Sequence, residues 1–389
     1  MTQSPVSRAI KTDVTVYIGR FSPFHLGHAH VLLNALRTSK LVIVLIGSSF
    51  QARSLKNPFT CRERQSMLAV WYSEQTDVGE LRIHGLHDHP YNDGAWIKSV
   101  QDIVKSTIDT FWKQSPDPIM LTDIRLTGSD RDETTWYLSA FPQWKQALIP
   151  EHRLDGTDQV NATTVRAMLF SADSIARAHM ERMLPAATYS FMTTFMGSPE
   201  HQQLAREFKQ NEAYRKAWSV APHAPTFNTC DAVVIQSGHV LVVERGAEPG
   251  KGLWALPGGF LEQDERIQDG AIRELMEETG IRLAEGKNSR DLTIKMLRGS
   301  IRAKEIFDKP DRSSRGRTIT VAYLFRLDDT KPLPRVKGQN APLHETNGVP
   351  EVETAKAFWV PISEALNRTD MWFEDHHGIV SWSVGVIDS

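Results

Sequence analysis

The stretch GFLEQDERIQDGAIRELMEETGI, Gly259 to Ile281, follows a fixed spacing: Gly-x5-Glu-x7-Arg-Glu-U-x-Glu-Glu-x-Gly-U, with U a bulky aliphatic. Its fixed positions are Gly259, Glu265, Arg273, Glu274, Glu277, Glu278 and Gly280, with Leu275 and Ile281 as the aliphatics. Glu274, Glu277 and Glu278 stand at i, i+3 and i+4, so on a helix they share one face. Ile272 and Leu275 then take the opposite side and can anchor the helix in a core. Three carboxylates on one face repel one another unless a cation sits among them. A hard divalent ion with oxygen ligands, Mg²⁺ or Mn²⁺, relieves that repulsion. Gly280 suits the left-handed residue that ends such a helix. Gly258 and Gly259 let the backbone approach a metal and phosphates closely. Glu-rich helices are usually only solvated faces, but that bland account leaves the fixed arginine and glycines unexplained.

This pattern resembles the signature of the Nudix hydrolases. The resemblance implies a Mg²⁺-dependent hydrolase of a nucleoside-diphosphate-linked substrate, built on a Nudix α/β/α sandwich. It makes Glu274, Glu277 and Glu278 the metal-binding residues, has Arg273 orient the carboxylates and has Glu265 support them from the loop. The general base of such enzymes often lies outside the signature; Glu353 is the first candidate and Glu351 the second. The segments ERGAEPGKGLWALPGGF and RGSIRAKEIFDKPDRSSRGRTITVAY are similar to the branch acting on ADP-ribose. That likeness gives Gly258, Gly259, Arg312, Arg315 and Arg317 to the substrate, and AMP and ribose 5-phosphate as products. A solvated basic loop is the competing account of the three arginines.

Outward from this site the chain reads as two different halves. At 389 residues it is long for one domain. A net charge of −2 gives no sign of a nucleic-acid-binding or membrane-hugging surface. Two cysteines, Cys61 and Cys230, lie far apart without CxxC spacing, which argues against a disulfide framework or a structural zinc. No signal-peptide core or membrane-length apolar run occurs, so a cytoplasmic setting is expected. VTVYI (14–18), LVIVLIG (41–47) and IRLTG (124–128) are continuous apolar runs interleaved with helical patterns, as in a parallel α/β sheet. HQQLAREFKQNEAYRKAW (201–218) is polar and helix-prone. Beyond it, CDAVVIQSGHVLVVER predicts a hairpin around Ser237 and Gly238, with later strands at 319–327 and 355–360.

GRFSPFHLGH, Gly19 to His28, lies between the first predicted strand and its helix. A helix N-terminus offers unsatisfied N–H groups and a positive dipole end, which suits a triphosphate. The stretch resembles the HxGH signature of the nucleotidyltransferases. Further pieces resemble the archaeal-type nicotinamide mononucleotide (NMN) adenylyltransferases: SLKNPFTCRER (54–64), DHPYNDGAW (88–96), GSDRDETTWYLSAFPQW (128–144) and VNATTVR (160–166). The resemblance makes His25 and His28 the catalytic histidines. It assigns Gly19, Arg20, Gly27, Lys56, Thr163 and Arg166 to the ATP phosphates, and Asn92 and Trp96 to NMN, with Mg²⁺ accompanying ATP. Lys56 stands where the family often has arginine, which loses the bidentate fork. Asn161 replaces a serine but can still bond at a helix start.

Together the motifs resemble the bifunctional NMN adenylyltransferase–Nudix proteins. The expected organisation is a Rossmann-like nucleotidyltransferase at 10–185, a helical connector and linker at 186–225 and a Nudix domain at 226–389. ATP, NMN and ADP-ribose are the implied small-molecule partners, and a homo-oligomer is left open. The alternatives are an adenylyltransferase fused to a non-hydrolytic Nudix-fold sensor, or a Nudix domain cutting another nucleoside diphosphate.

Overall fold

A computed structural model describes residues 12–113, 123–129, 137–150, 153–154, 158–171, 174–336, 345–346, 349–350 and 354–388. It divides into two compact units, Met1–Ala205 and Arg206–Ser389.

In the first unit, β1 (Thr12–Gly19) and β2 (Ser39–Ile46) are apolar along nearly their whole length. That pattern belongs to strands covered on both faces. They join β3 (Glu80–Gly85), β4 (Ile124–Ser129) and β5 (Lys145–Ile149) in a sheet ordered β3-β2-β1-β4-β5. Every pairing is parallel. The crossovers carry α1 (Leu26–Thr38), α2 (Cys61–Ser73) and α3 (Asp93–Lys113). Val14, Val16, Ile18, Leu41, Ile43 and Leu45 alternate toward one face and pack with Val100 and Val104 of α3. Strand order reverses between β1 and β4. In such open sheets ligands bind outside the carboxyl ends at this switch point, here beside Gly19.

A short pair, β6 (Arg153–Leu154) and β7 (Asp158–Gln159), precedes α4 (Ala162–Phe170), α5 (Ser174–Met183) and α6 (Ala186–Phe195). The expected connector at 186–225 is largely helical: α6 is followed by α7 (Pro199–Trp218). Phe191 and Phe195 of α6 pack their rings on Phe59, at 5.8 and 5.0 Å, so α6 is part of the first unit's core. The division between the units falls inside α7.

The second unit is built on a mixed sheet. Its path is β10-β9-β8-β13-β12, with β11 also on β8 and β16 also on β9. The strands are β8 (Thr226–Gln236), β9 (His239–Arg245), β10 (Trp254–Ala255), β11 (Gly258–Phe260), β12 (Ile301–Phe307), β13 (Arg317–Arg326) and β16 (Thr354–Pro361). A small pair, β14 (Glu345–Thr346) and β15 (Val349–Pro350), stands apart. The predicted hairpin is present, and Ser237 and Gly238 carry φ of +49° and +72° in its turn. Side chains alternate along β8. Ala232 and Val234 pack with Ala271, Ile272 and Leu275 of α8 (Ile267–Thr279), the signature helix. Val233 and Ile235 face Ile379 and Val380 of α11 (His376–Asp388) on the other side. With α9 (Ser289–Ser300) and α10 (Ile362–Asn367), the unit is an α/β/α sandwich. Among the described residues no helix is long and apolar enough to cross a membrane.

Candidate active sites

At the carboxyl end of β1 the chain turns through Arg20–Phe24 into α1. His25 is the N-cap: its Nδ1 accepts the His28 backbone N–H at 3.3 Å, and His28 Nδ1 accepts the His25 N–H at 3.4 Å. This is a capping box made of two histidines. The rings stack with centroids 3.7 Å apart. With both Nδ1 atoms accepting, the N–H of each neutral ring sits on Nε2, and both rings offer donors suited to a phosphate. Gly27 permits the arrangement, since a Cβ there would lie 3.0 Å from the His25 ring.

Two buried arginines brace this turn. Arg166 on α4 donates to the Ser22 carbonyl at 2.7 Å and to Thr163 Oγ1 at 3.1 Å. Asn161 caps α4 by accepting the Thr164 N–H at 2.8 Å, the capping expected of it. Arg64 on α2 is fully buried and donates to the carbonyls of Arg20, Gly47, Ser48 and Thr60 at 2.7, 2.7, 2.8 and 3.3 Å. It ties the ends of β1 and β2 to the start of α2. Burial pulls both guanidinium pKa values down to about 10, which leaves them charged at neutral pH. Neither donates to a carboxylate among the described residues, so their positive field joins the N-terminus of α1 at one end of the sheet.

Sequence reasoning missed Arg64. The signal was its place on the apolar face of α2, in register with Met67, Leu68 and Trp71. Asp88 was missed as well; it accepts from the Ser48 N–H, Ser48 Oγ and Gln51 Nε2 at 2.8, 2.6 and 2.8 Å. Gly19, Arg20, His25, Gly27, His28, Thr163 and Arg166 therefore gather around one turn. Lys56 is exposed within the Ser54–Asn57 turn. Trp96 is half-buried, its indole against Tyr137 and Phe141 with centroids 6.4 and 6.0 Å away. Asn92 accepts the Ala95 N–H at 3.0 Å, at the start of α3.

In the second unit, α8 ends at Gly280, whose φ is +63°. Arg273 is the hub of the signature. It donates to Glu265 at 3.0 and 2.7 Å, to Glu274 at 2.9 Å, to Glu277 at 3.1 Å and to the Phe260 carbonyl at 3.2 Å. These bonds hold the Glu265 carboxyl below the usual carboxylate range and push the arginine pKa up. Glu278 accepts the Gly258 N–H at 3.0 Å. A Cβ at Gly259 would lie 2.5 Å from Glu274 Oε1, so only glycine lets the strand and the carboxylate lie this close.

Among the described residues, no three His, Cys, Asp or Glu side chains converge as a ready metal cage. The repulsion expected to call for a cation is relieved here for Glu274 and Glu277 by Arg273. The donor set still fits a hard divalent ion. Three carboxylates sit on adjacent turns, one of them fixed by a backbone N–H, with glycine backbone beside them.

Two of the three predicted substrate arginines are engaged inside the domain. Arg312, assigned to the substrate from the sequence, is not part of a solvated loop: it is buried and holds Asp375 bidentately at 2.9 and 2.7 Å. Burial opposes its charge, but the Asp375 pair outweighs that and raises its pKa. Arg317 donates to the Asp308 carbonyl in the β12–β13 hairpin. Arg315 lies over the Phe260 ring, 5.0 Å from its centroid, beside the signature. Glu351 and Glu353 fall outside the described residues.

Arg245, at the end of β9, escaped the sequence reading. Its Nε donates to the Pro249 carbonyl at 2.8 Å, and its guanidinium lies 3.8 Å from the Phe373 ring centroid. One terminal nitrogen is buried without a hydrogen-bond partner among the described residues. Burial lowers its pKa to about 10, with the charges of Arg315, Glu374 and Glu278 acting on it as well. Arg245 thus lies within electrostatic range of the signature residue Glu278 and of Arg315. Nothing local in VLVVERG distinguishes it from a solvated strand end.

Comparison with known proteins matches both halves. Residues 226–382 match the NUDIX domain family, and residues 16–139 match the Cytidylyltransferase-like family. Nicotinamide/nicotinic acid mononucleotide adenylyltransferase of Acinetobacter baylyi is 29% identical over 204 residues, covering 52% of this chain and 97% of that protein. ADP-ribose pyrophosphatase of Methanocaldococcus jannaschii is 26% identical over 122 residues, 31% of this chain and 63% of that protein. The crystal structure of a bifunctional NMN adenylyltransferase/ADP ribose pyrophosphatase from Francisella tularensis, complexed with AMP and a Mn ion, superposes with a TM-score of 0.77 at 32% identity. That match covers 96% of this chain and 99% of the Francisella chain. With both halves in the same order along almost the whole of both chains, this chain belongs to the bifunctional NMN adenylyltransferase/ADP-ribose pyrophosphatase family.

Proposed function

We propose that the first unit transfers AMP from ATP to NMN, giving NAD and pyrophosphate, and that the second cuts ADP-ribose to AMP and ribose 5-phosphate. The observation that supports this reading is the match to the Francisella enzyme along 96% of this chain, which takes in both units.

In the first reaction the NMN phosphate oxygen bonds to the α-phosphorus of ATP as the bond to the β-phosphate bridge breaks. No protein nucleophile is required; positioning and charge stabilisation do the work. His25 and His28 donate from Nε2 to phosphate oxygens. Arg20, Lys56 and Arg166, with Thr163 and the backbone at Gly19 and Gly27, take up the charge that grows on leaving pyrophosphate. Arg64 holds the turn in place. Trp96 stacks on the cationic nicotinamide ring, which favours an indole face, and Asn92 contacts NMN nearby.

In the second unit Glu274, Glu277 and Glu278 are the ligands for Mg²⁺ or Mn²⁺. When bound, such an ion polarises the pyrophosphate and makes a water more acidic. Arg273 aligns Glu274 and Glu277, with Glu265 buttressing it. Gly258 holds Glu278 through its N–H. Arg245 and Arg315 receive the substrate's negative charge, and Arg312 shapes the loop that carries Arg315. Glu353, or Glu351 after it, takes the proton of the attacking water.

The test is a product assay on the purified chain. With ATP, NMN and Mg²⁺ it should yield NAD and pyrophosphate; with ADP-ribose and Mg²⁺, AMP and ribose 5-phosphate. Formation of NAD with ADP-ribose left intact would replace the second activity by a sensor role.

A further inference from the structure

The second unit begins at Arg206, well before the strand where the NUDIX match starts. The end of α7 that belongs to this unit holds loops of the pyrophosphatase site. Arg206 pairs with Glu248 at 3.0 Å. Asn211 and Arg215 bond Ser314, next to Arg315, at 3.0 and 3.1 Å. Glu207 makes a further contact that is buried on both sides: the residue is only 5% exposed, and it accepts the Gly250 N–H at 3.0 Å.

Gly250 connects that bond to Arg245. Its φ is +77°, and a Cβ there would lie 2.3 Å from the Phe373 ring, so backbone and ring are in direct contact. Phe373 supports the Arg245 guanidinium at 3.8 Å, and the carbonyl of Pro249, next to Gly250, accepts Arg245 Nε. Both restraints on Arg245 thus run through the loop that Glu207 anchors. The Glu207 charge also acts on Arg245.

We infer that Glu207 is a positioning residue for the pyrophosphatase: from outside the NUDIX match it fixes the Pro249–Gly250 loop and so aims Arg245 at the substrate's phosphates. The inference rests on reading the second unit as an ADP-ribose pyrophosphatase. Losing a bond to a buried carboxylate that orders a ligand-facing arginine should cost binding rather than the chemical step.

Steady-state hydrolysis of ADP-ribose by the full chain is compared for wild type, Glu207→Ala, Glu207→Gln, Arg245→Ala and the Glu207→Ala/Arg245→Ala double variant. Glu207→Ala should raise KM about tenfold with kcat within about threefold. Glu207→Gln, which keeps an acceptor for Gly250, should stay within about threefold of wild type. The double variant should be no worse than Arg245→Ala, because the two effects share one route. A kcat retained within about threefold, together with an unchanged far-ultraviolet circular dichroism spectrum of the same preparations, reports that the second unit is folded. An unchanged KM in Glu207→Ala, or losses that multiply in the double variant, overturns the inference while leaving the pyrophosphatase reading intact. Wild-type protein that cleaves no ADP-ribose overturns both.

Discussion

Arg273 takes part in bonds to three carboxylates at once, so its removal has two separable consequences. Glu265, Glu274 and Glu277 would face one another without a counter-charge, and Glu265 is only 12% exposed on its side chain. Arg273→Gln should destabilise the second unit by about 1–3 kcal/mol at pH 7. The loss should shrink on acidification. The Arg273 bonds hold the folded Glu265 pKa below the ordinary glutamate value of 4.5. Its stabilisation is therefore fully present above that value and disappears as pH falls through the lower folded pKa. Urea titrations of both proteins at pH 7 and near pH 3.5 check this; a gap that stays constant or widens in acid contradicts it. Glu274→Gln should cut ADP-ribose hydrolysis at least about a hundredfold, since the proposed ligand set for the ion loses a charge.

At the scale of elements, α1 joins folding to chemistry, because the two side chains that cap it are the pair we propose to be catalytic. Gly27→Ala improves intrinsic helix propensity, yet puts a methyl group 3.0 Å from the His25 ring. The expected outcome is a melting temperature at or above wild type with NAD synthesis slowed about tenfold or more, because the imidazole must shift a few tenths of an ångström. A wild-type rate would show that ring placement does not matter. The strands and the signature helix were legible because their information is local: the apolar run in β2, the alternation in β8, and the i, i+3, i+4 carboxylates closed by Gly280. Arg64 was not. Its acceptors include Arg20, 44 positions earlier, and no local pattern encodes such a bond. Arg245 and Glu207 were hidden for the same reason. Arg312 shows the reverse case: the sequence assigns it to the substrate, and its buried partner Asp375 lies 63 positions later, beyond any local pattern.

For the molecule as a whole, two units with separate cores predict separable activities. Glu274→Gln should leave NAD synthesis within about twofold of wild type, and His28→Ala should leave ADP-ribose hydrolysis equally untouched, because each change acts on a different unit. Parallel assays of both variants decide the matter; a variant that silences both reactions would contradict it. Chelation with EDTA should stop both, since each reaction calls on a divalent ion. The seam between the units also has a practical side. Anyone splicing pyrophosphatase halves between relatives would choose position 226, where the conserved fold appears to a sequence comparison to begin. That cut strands Arg206, Glu207, Asn211 and Arg215 on the wrong parent, along with Tyr214 and Trp218, which pack on Phe227. Chimeras joined upstream of α7 should outperform those joined at 226, so the inheritable module is longer than its motif.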